Sequence, residues 1–241
     1  MKRTFVSICS AMMMAACIPI SANAAGYGQG KAVNGQNQPT GALEFQAQYA
    51  QNDAYALTEA ADSILLTFDQ GYENGYTAKI LDTLKEHHVK ALFFITGDYA
   101  KSEPQLINRM IAEGHALGNH GMRHLKASEL SAEALREEIG SLHSYVLQNY
   151  GYEMQYYRPP CGDYDAEALQ TVQEMGYKTV FWSFAYVDWN TDAQPDPETA
   201  KQTLIQAAHP NGIYLLHSVS SANAAVLGDV ITELKAMGYR V

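Results

Sequence analysis

From residue 63 onward, short apolar runs of strand length alternate with longer amphipathic stretches. This alternation predicts β/α units, because apolar runs buried on both faces are typical of parallel strands and the amphipathic stretches of helices. It favours an α/β fold over a β-sandwich or a helix bundle. Seven strands are predicted, at residues 64–68, 91–96, 116–119, 155–158, 179–183, 213–217 and 239–241.

Helix starts are predicted at Ser131, Asp165 and Asp196-Pro197, whose residue types favour helix N-termini. Behind the first start, the apolar residues that recur at helical spacing are Leu135, Ile139, Leu142 and Val146. Helix ends are predicted at Gly114, Gly176 and Gly238. The pattern fits either a parallel barrel or an open doubly wound sheet, and no Gly-rich dinucleotide fingerprint follows the first strand.

The first 24 residues have the three regions of a secretory signal: Lys2 and Arg3, an apolar run over residues 5–20, and small residues that end at Ala24. We expect export to the cell envelope or the extracellular space, with cleavage after Ala24. One alternative is a lipoprotein anchored through Cys17, which ends a lipoprotein-like box. A retained membrane anchor is disfavoured, because the apolar run is short for a bilayer span.

After such a cleavage, residues 25–62 form an N-terminal extension with little periodicity, which we expect to be mobile and partly ordered against the domain. Residues 63–241 form the predicted catalytic domain, and 241 residues suit one such domain better than two. The exported chain keeps only Cys161, so no internal disulfide can form.

The chain carries 26 acidic and 16 basic residues, for a net charge of −10. This balance argues against a nucleic-acid partner and against a polybasic membrane anchor, since both need clustered Lys and Arg. Nothing in the sequence indicates a protein partner.

Polar clusters follow the predicted strands at their carboxyl ends, where α/β folds place their chemistry. They are Thr67-Phe68-Asp69-Gln70-Gly71, Asn119-His120-Gly121-Met122-Arg123-His124, Arg158-Pro159-Pro160-Cys161-Gly162, Asp188-Trp189 and Leu215-Leu216-His217. Because parallel strands end at the same edge, we expect these groups to converge on one rim.

His120 and His124 are four residues apart, so on a helical turn both imidazoles would face one divalent ion, most simply Zn²⁺. Two unrelated surface histidines are the alternative. Asp69 emerges at a partly dry rim, where it could take a proton from a water bound to that ion, although an Asp there could also cap the next helix.

Arg158 could pair with Asp69 and keep it ionised, and the prolines that follow could aim the Cys161 amide inward as an oxyanion donor. Alternatively, Arg-Pro-Pro is only a rigid surface turn. No base is spaced to make Cys161 a nucleophile.

His217 ends an apolar strand and could act as a general acid if Asp188 orients it, or it could be a buried structural histidine. Trp189 and Leu215 would then wall a small apolar pocket, although such residues are more often core.

From residue 63 to 241, these motifs occur in the same order as in the polysaccharide deacetylases with a NodB-homology domain, carbohydrate esterase family 4, which the chain resembles. The resemblance implies a distorted (β/α)7 barrel and a hydrolase that removes acetyl groups from polysaccharides with one divalent metal ion, most simply Zn²⁺.

The same resemblance implies a role for each matched residue. Asp69 would be the base, Arg158 its partner, His217 the acid and Asp188 the residue that orients it. His120 and His124 would bind the metal, with Asp69 or Gln70 as a further ligand. The remaining implied roles are an oxyanion donor and walls around the acetyl methyl, and they fall on Cys161, Trp189 and Leu215.

The segments 67–77, 185–189 and 209–220 are similar to those of the delta-lactam-biosynthetic de-N-acetylases, which act on N-acetylmuramic acid in peptidoglycan. Gln70 departs from most of the family, which has a metal-binding Asp there, but an amide is usual in this subgroup. A neutral amide attracts a cation less than a carboxylate does. Cys161 stands where an aromatic residue or Arg is usual.

We therefore expect a peptidoglycan N-deacetylase that acts on N-acetylmuramic acid and leads to muramic δ-lactam. One alternative is a deacetylase of N-acetylglucosamine polymers or xylan. Another is a metal-free carbohydrate-binding relic, in which Gln70 marks lost catalysis.

Overall fold

The computed structural model describes residues 25–241. The predicted signal segment and Cys17 therefore lie outside the described residues. Within the described range the strands are β1 (Ala25–Gly26), β2 (Ala54–Tyr55), β3 (Ile64–Gln70), β4 (Leu92–Ile95), β5 (Ala116–Asn119), β6 (Tyr156–Tyr157), β7 (Asp163–Tyr164), β8 (Lys178–Val180), β9 (Phe184–Ala185) and β10 (Gly212–His217).

Helices surround these strands, and several begin where the sequence predicts. They are α1 (Thr40–Tyr49), α2 (Thr77–Glu86), α3 (Gly97–Ser102), α4 (Pro104–Ala112), α5 (Ala132–Tyr150), α6 (Ala166–Glu174), α7 (Pro197–Gln206) and α8 (Ser221–Ala236). The side chains of Ser131, Asp165 and Asp196 cap α5, α6 and α7 as predicted. None of the helices described here combines the length and the apolar character needed to cross a bilayer.

Eight strands form one sheet in the order β2-β8-β6-β5-β4-β3-β10-β9, and every ladder in it is parallel. The sheet curls into a half-barrel with helices around it, which confirms the predicted α/β class. In the part of the chain that the structure describes, β2 and β9 end the sheet and form no ladder with each other. All the strand ends therefore open toward one rim.

Alternate residues of each strand enter two different cores. Phe93 and Leu216 belong to the outer core, which packs against the helices, whereas Phe94 and Leu215 belong to the inner core enclosed by the sheet. Burial on both faces is the reason that the strands read as continuous apolar runs.

Residues before the predicted boundary at residue 63 pack into the main fold. β2 lies before this boundary and extends the main sheet beside β8, and Phe45 of α1 is buried in the inner core. β1 pairs antiparallel with β7. The extension at residues 25–62 is therefore part of the folded unit, and its burial depends on contacts with distant residues that local periodicity does not reveal.

The strand predicted at residues 239–241 is wrong. Arg240 forms a single bridge to Ser63, and its side chain pairs with Asp62 at 2.6 Å. Helix α8 ends at Ala236, and Gly238 reverses the chain at a φ of 95°, so few residues remain to form a ladder.

Candidate active site

The predicted polar clusters converge on one cavity of about 910 Å³ at the carboxyl ends of the strands. Asp69 lies near the end of β3, and the register of the sheet places it directly opposite His217, the last residue of β10. His120 follows β5, and Arg158 follows β6. This convergence confirms that the strand ends share one rim.

Asp69 forms a buried ion pair with Arg158, whose Nη1 lies 2.7 Å from the Asp69 Oδ1. Arg158 is fully buried, donates to the carbonyls of Val180 and Phe181, and lies 4.2 Å from the ring centroid of Phe94. Burial opposes ionisation of Asp69, but the guanidinium of Arg158 together with His120 and His217 outweighs it and lowers the pKa of the carboxyl below its usual value. Asp69 is thus kept ionised.

Asp188 holds His217 from two sides. Its Oδ1 lies 2.7 Å from the His217 Nδ1, and its Oδ2 accepts the backbone N–H of His217 at 2.8 Å. The side-chain amide of Asn223 donates to the same Oδ2 at 2.6 Å. Burial opposes protonation of His217, but the hydrogen bond and charge of Asp188 raise its pKa above the usual value. Because Nδ1 is engaged, Nε2 is left for the cavity.

His120 and His124 lie together at the cavity wall, with ring centroids 4.8 Å apart. The Nδ1 of His120 lies 2.8 Å from the carbonyl oxygen of Arg158, and its Nε2 lies 3.5 Å from the Asp69 Oδ2. Burial lowers the pKa of His120 to about 4 and also lowers that of His124, so both imidazoles are neutral near pH 7.

The helical turn predicted for this pair is wrong. Gly121 has a φ of 83° and His124 a φ of 60°, so the segment between them is an irregular loop after β5. The carboxylate of Glu138 and the carbonyl of the same residue hold this loop through the backbone N–H groups of Arg123 and Met122. The imidazoles therefore meet through loop geometry rather than through helical spacing.

Gln70 does not lie at the cavity wall, unlike the other predicted ligands. It has the same parity along β3 as Leu66 and Phe68, which face the outer core, because successive strand residues point to opposite faces. Its amide nitrogen donates to the hydroxyl of Ser218, and its Oε1 has no hydrogen-bond partner among residues 25–241.

The donor set fits a divalent ion. Two neutral imidazoles with a carboxylate beside them are typical zinc ligands, and the carbonyl contact of His120 orients its ring as metal-binding histidines require. Within residues 25–241, no three His, Cys, Asp or Glu side chains form a complete cluster. An ion would therefore bind His120 and His124 first, with Asp69 as the nearest oxygen donor.

Cys161, Trp189 and Leu215 also line the cavity, as predicted. The backbone of Cys161 forms part of the turn after Arg158, with a φ of 58°, and its side chain is exposed. The Trp189 ring lies 5.6 Å from that of His217. Leu215 is buried beneath the cavity floor. Together they give the space beside His217 an apolar wall.

The N-terminal extension completes the cavity, which the sequence does not predict. Tyr27 and Gln29 line it, and the indole N–H of Trp182 donates to the Gln29 Oε1 at 2.9 Å. Tyr27 donates its hydroxyl hydrogen to the Trp182 carbonyl. Asn223 and Glu138 are further residues that sequence analysis misses, because each acts from a helix that carries no motif.

A sequence profile of the polysaccharide deacetylase family matches residues 56–180. The chain is 42% identical over 215 residues to the peptidoglycan-N-acetylmuramic acid deacetylase PdaA of Bacillus subtilis. The aligned region covers 88% of this chain and 81% of that protein. The chain is also 34% identical over 184 residues to a peptidoglycan-N-acetylglucosamine deacetylase of Bacillus cereus. That aligned region covers 73% of this chain and 84% of that protein.

The fold is similar to the solved structure of Bacillus subtilis PdaA, described as a family 4 carbohydrate esterase. The TM-score is 0.85 at 41% sequence identity, over 90% of this chain and 93% of that one. The profile covers about half of the chain, and the similarity in sequence and in fold extends over most of it. The chain therefore belongs to the polysaccharide deacetylases, carbohydrate esterase family 4.

Proposed function

We propose that this protein is a hydrolase that removes the N-acetyl group from N-acetylmuramic acid in peptidoglycan. The observation that carries the proposal is that two dyads, Asp69 with Arg158 and Asp188 with His217, meet at one cavity. Asp69 and His217 are neighbours there on the paired strands β3 and β10. The identity of 42% to a named N-acetylmuramic acid deacetylase supports the choice of substrate.

Asp69 is the general base. Held ionised by Arg158, it accepts a proton from the water that adds to the acetamide carbonyl carbon. The rigid turn that begins at Pro159 would position the backbone N–H of Cys161 near the oxygen on which negative charge develops. The base lies on β3 and the donor follows β6, two strands of the same parallel sheet, so the fold sets their spacing.

His217 is the general acid. Its Nδ1 is held by Asp188, and its Nε2 delivers a proton to the sugar nitrogen as the carbon–nitrogen bond breaks. The products are acetate and a free amine. Trp189 and Leu215 form the apolar wall against which the acetyl methyl packs.

His120 and His124 would hold a divalent ion, with Asp69 beside them. When bound, such an ion polarises the carbonyl and makes water a stronger nucleophile near neutral pH. Zn²⁺ suits two imidazole ligands best.

The substrate we propose is a glycan strand whose muramic acid has lost its peptide stem. The free amine can then attack the lactyl carboxyl with loss of water, which closes the δ-lactam. Tyr72 and Trp189 are 54% and 50% exposed at the cavity and offer aromatic faces to sugar rings. Export through residues 1–24, with or without lipidation at Cys17, would bring the protein to this polymer.

The test is mass spectrometry of stem-free peptidoglycan after incubation with the purified protein and Zn²⁺, with chitin oligomers and acetylated xylan in parallel. We expect muramic acid to lose an acetyl group and then a water. Loss of acetyl only from N-acetylglucosamine would instead support the activity named for the Bacillus cereus relative. No acetyl loss from any polymer by folded, Zn²⁺-loaded protein would favour a binding relic.

A further inference from the structure

Arg123 is the only Lys or Arg side chain among the described residues that line the cavity. The chain as a whole has a net charge of −10, and the carboxylates that line the same cavity are Asp69 and Asp98. For an anionic ligand in this cavity, Arg123 is therefore the one lining side chain that carries a positive charge at every physiological pH.

The buried carboxylate of Glu138 holds the Arg123 guanidinium in place. Its Nε donates to the Glu138 Oε2 at 2.9 Å, and the other oxygen of Glu138 accepts the backbone N–H of Arg123. The Glu138 side chain is 1% exposed, whereas that of Arg123 is 60% exposed. The buried carboxylate thus fixes the orientation of an exposed guanidinium.

The contact with Glu138 uses only the Nε of the guanidinium. Within residues 25–241, the Nη1 and Nη2 atoms have no hydrogen-bond partner. These two nitrogens form a planar fork that matches the two oxygens of a carboxylate. Arg123 therefore neutralises Glu138 through one nitrogen and leaves two nitrogens for a ligand in the cavity that it lines.

Muramic acid differs from glucosamine by a lactyl ether on C3, next to the acetamide on C2, and this ether ends in a carboxylate. A group that binds the carboxylate must therefore lie close to the site that binds the acetamide. Arg123 meets this requirement, because it directly precedes His124 in the loop beside Asp69 and His120.

We propose that Arg123 binds the lactyl carboxylate of the muramic acid substrate and thereby determines specificity. This inference rests on the proposed function of the same cavity. A peptide stem converts the carboxylate to a neutral amide, and N-acetylglucosamine lacks the group altogether. Arg123 therefore favours stem-free muramic acid over both.

The experiment compares two glycans with wild-type protein and variants: stem-free peptidoglycan strands, and the same strands with the lactyl carboxyl converted to its methylamide. Wild-type protein should prefer the carboxylate, and Arg123→Gln should reduce this preference by about 10- to 100-fold in kcat/KM, mainly through KM. Arg123→Lys, which keeps the charge but not the fork, should give an intermediate preference.

The matched control is Arg136→Gln, which removes an Arg that lies on α5 with Glu138 but pairs with Glu174 outside the cavity. It should keep the wild-type preference. Because Arg123→Gln leaves Glu138 buried without its cation, the double variant Arg123→Gln/Glu138→Gln removes both charges and should lose the preference while melting cooperatively.

Equal kcat/KM of the wild-type protein for the carboxylate and the methylamide would overturn the inference, and so would a wild-type preference in folded Arg123→Gln. If the wild-type protein deacetylated only N-acetylglucosamine, the proposed function itself would fail. That outcome is distinct, because it appears before any variant is compared.

Discussion

At the scale of single residues, burial and charge act in opposite directions on the two titratable groups of the cavity. Burial alone would protonate Asp69 and deprotonate His217. Arg158, together with His120 and His217, reverses the first tendency and lowers the pKa of Asp69. Asp188 reverses the second and raises the pKa of His217. An ionised base and a protonated acid can therefore lie side by side on the paired strands β3 and β10.

The pH dependence of Asp188→Asn tests this reversal. His217 is active when protonated, so wild-type activity should be lost as the pH rises through its raised pKa. Without the Asp188 charge, burial dominates and the pKa falls. We expect kcat to drop by about 100-fold and its alkaline limb to move to lower pH. Asp192→Asn, an exposed Asp in the same loop, is the control. Coincident alkaline limbs in the wild-type protein and Asp188→Asn would contradict the assignment.

At the scale of elements, the strand ends were the most predictable part of the site. Asp69, Arg158 and His217 each follow an apolar run, and a parallel sheet must bring such positions to one edge. Apolar residues at helical spacing likewise predicted α5, and the residue type of Ser131 predicted its cap. These features depend on local sequence and on one topological rule.

Other parts of the site could not be predicted, because they depend on contacts between distant residues. The N-terminal extension has no periodicity, yet Gln29 pairs with Trp182. His124 adopts a left-handed conformation that no local motif indicates. Gln70 is different, because its side of the sheet follows from the alternation of residues along β3.

Removing the start of the extension should weaken the cavity. A chain that begins at residue 32 lacks Tyr27 and Gln29, so the buried Trp182 N–H loses its partner, at a cost of about 1–3 kcal/mol. We expect a lower melting temperature and a several-fold higher KM than for a chain that begins at residue 25. Calorimetry and steady-state kinetics measure both, and identical values for the two chains would refute a role for this segment.

The loop that carries His120 and His124 should determine metal content. Elemental analysis of the wild-type protein, loaded with Zn²⁺ and then desalted, should give about one ion per chain, as a site with a single pair of imidazoles requires. His120→Gln and His124→Gln should retain far less. The control is His143→Gln. His143 lies on α5 and contacts the hydroxyl of Tyr177, so this variant should retain the wild-type amount of metal. Equal retention in all variants would place the metal elsewhere.

In the whole molecule, the apolar residues that stabilise the fold and the polar residues of the cavity occupy different parts of the curled parallel sheet. The outer and inner cores bury the apolar faces of the strands, while the polar groups gather at their carboxyl ends in one cavity. The acidic surface leaves Arg123 as the one Lys or Arg at the described cavity wall. Substrate choice and catalysis are thus assigned to a single rim.

The roles of Asp69 as base and His217 as acid are tested by acetate release from stem-free peptidoglycan. The proteins compared are the wild type, Asp69→Asn and His217→Gln, with Asp82→Asn as an exposed control on α2. We expect acetate release by the wild-type protein and the control. Rates should be about 10²- to 10⁴-fold lower in the two cavity variants, which should still unfold cooperatively. Wild-type rates in folded Asp69→Asn or His217→Gln would show that these side chains are not the base and the acid.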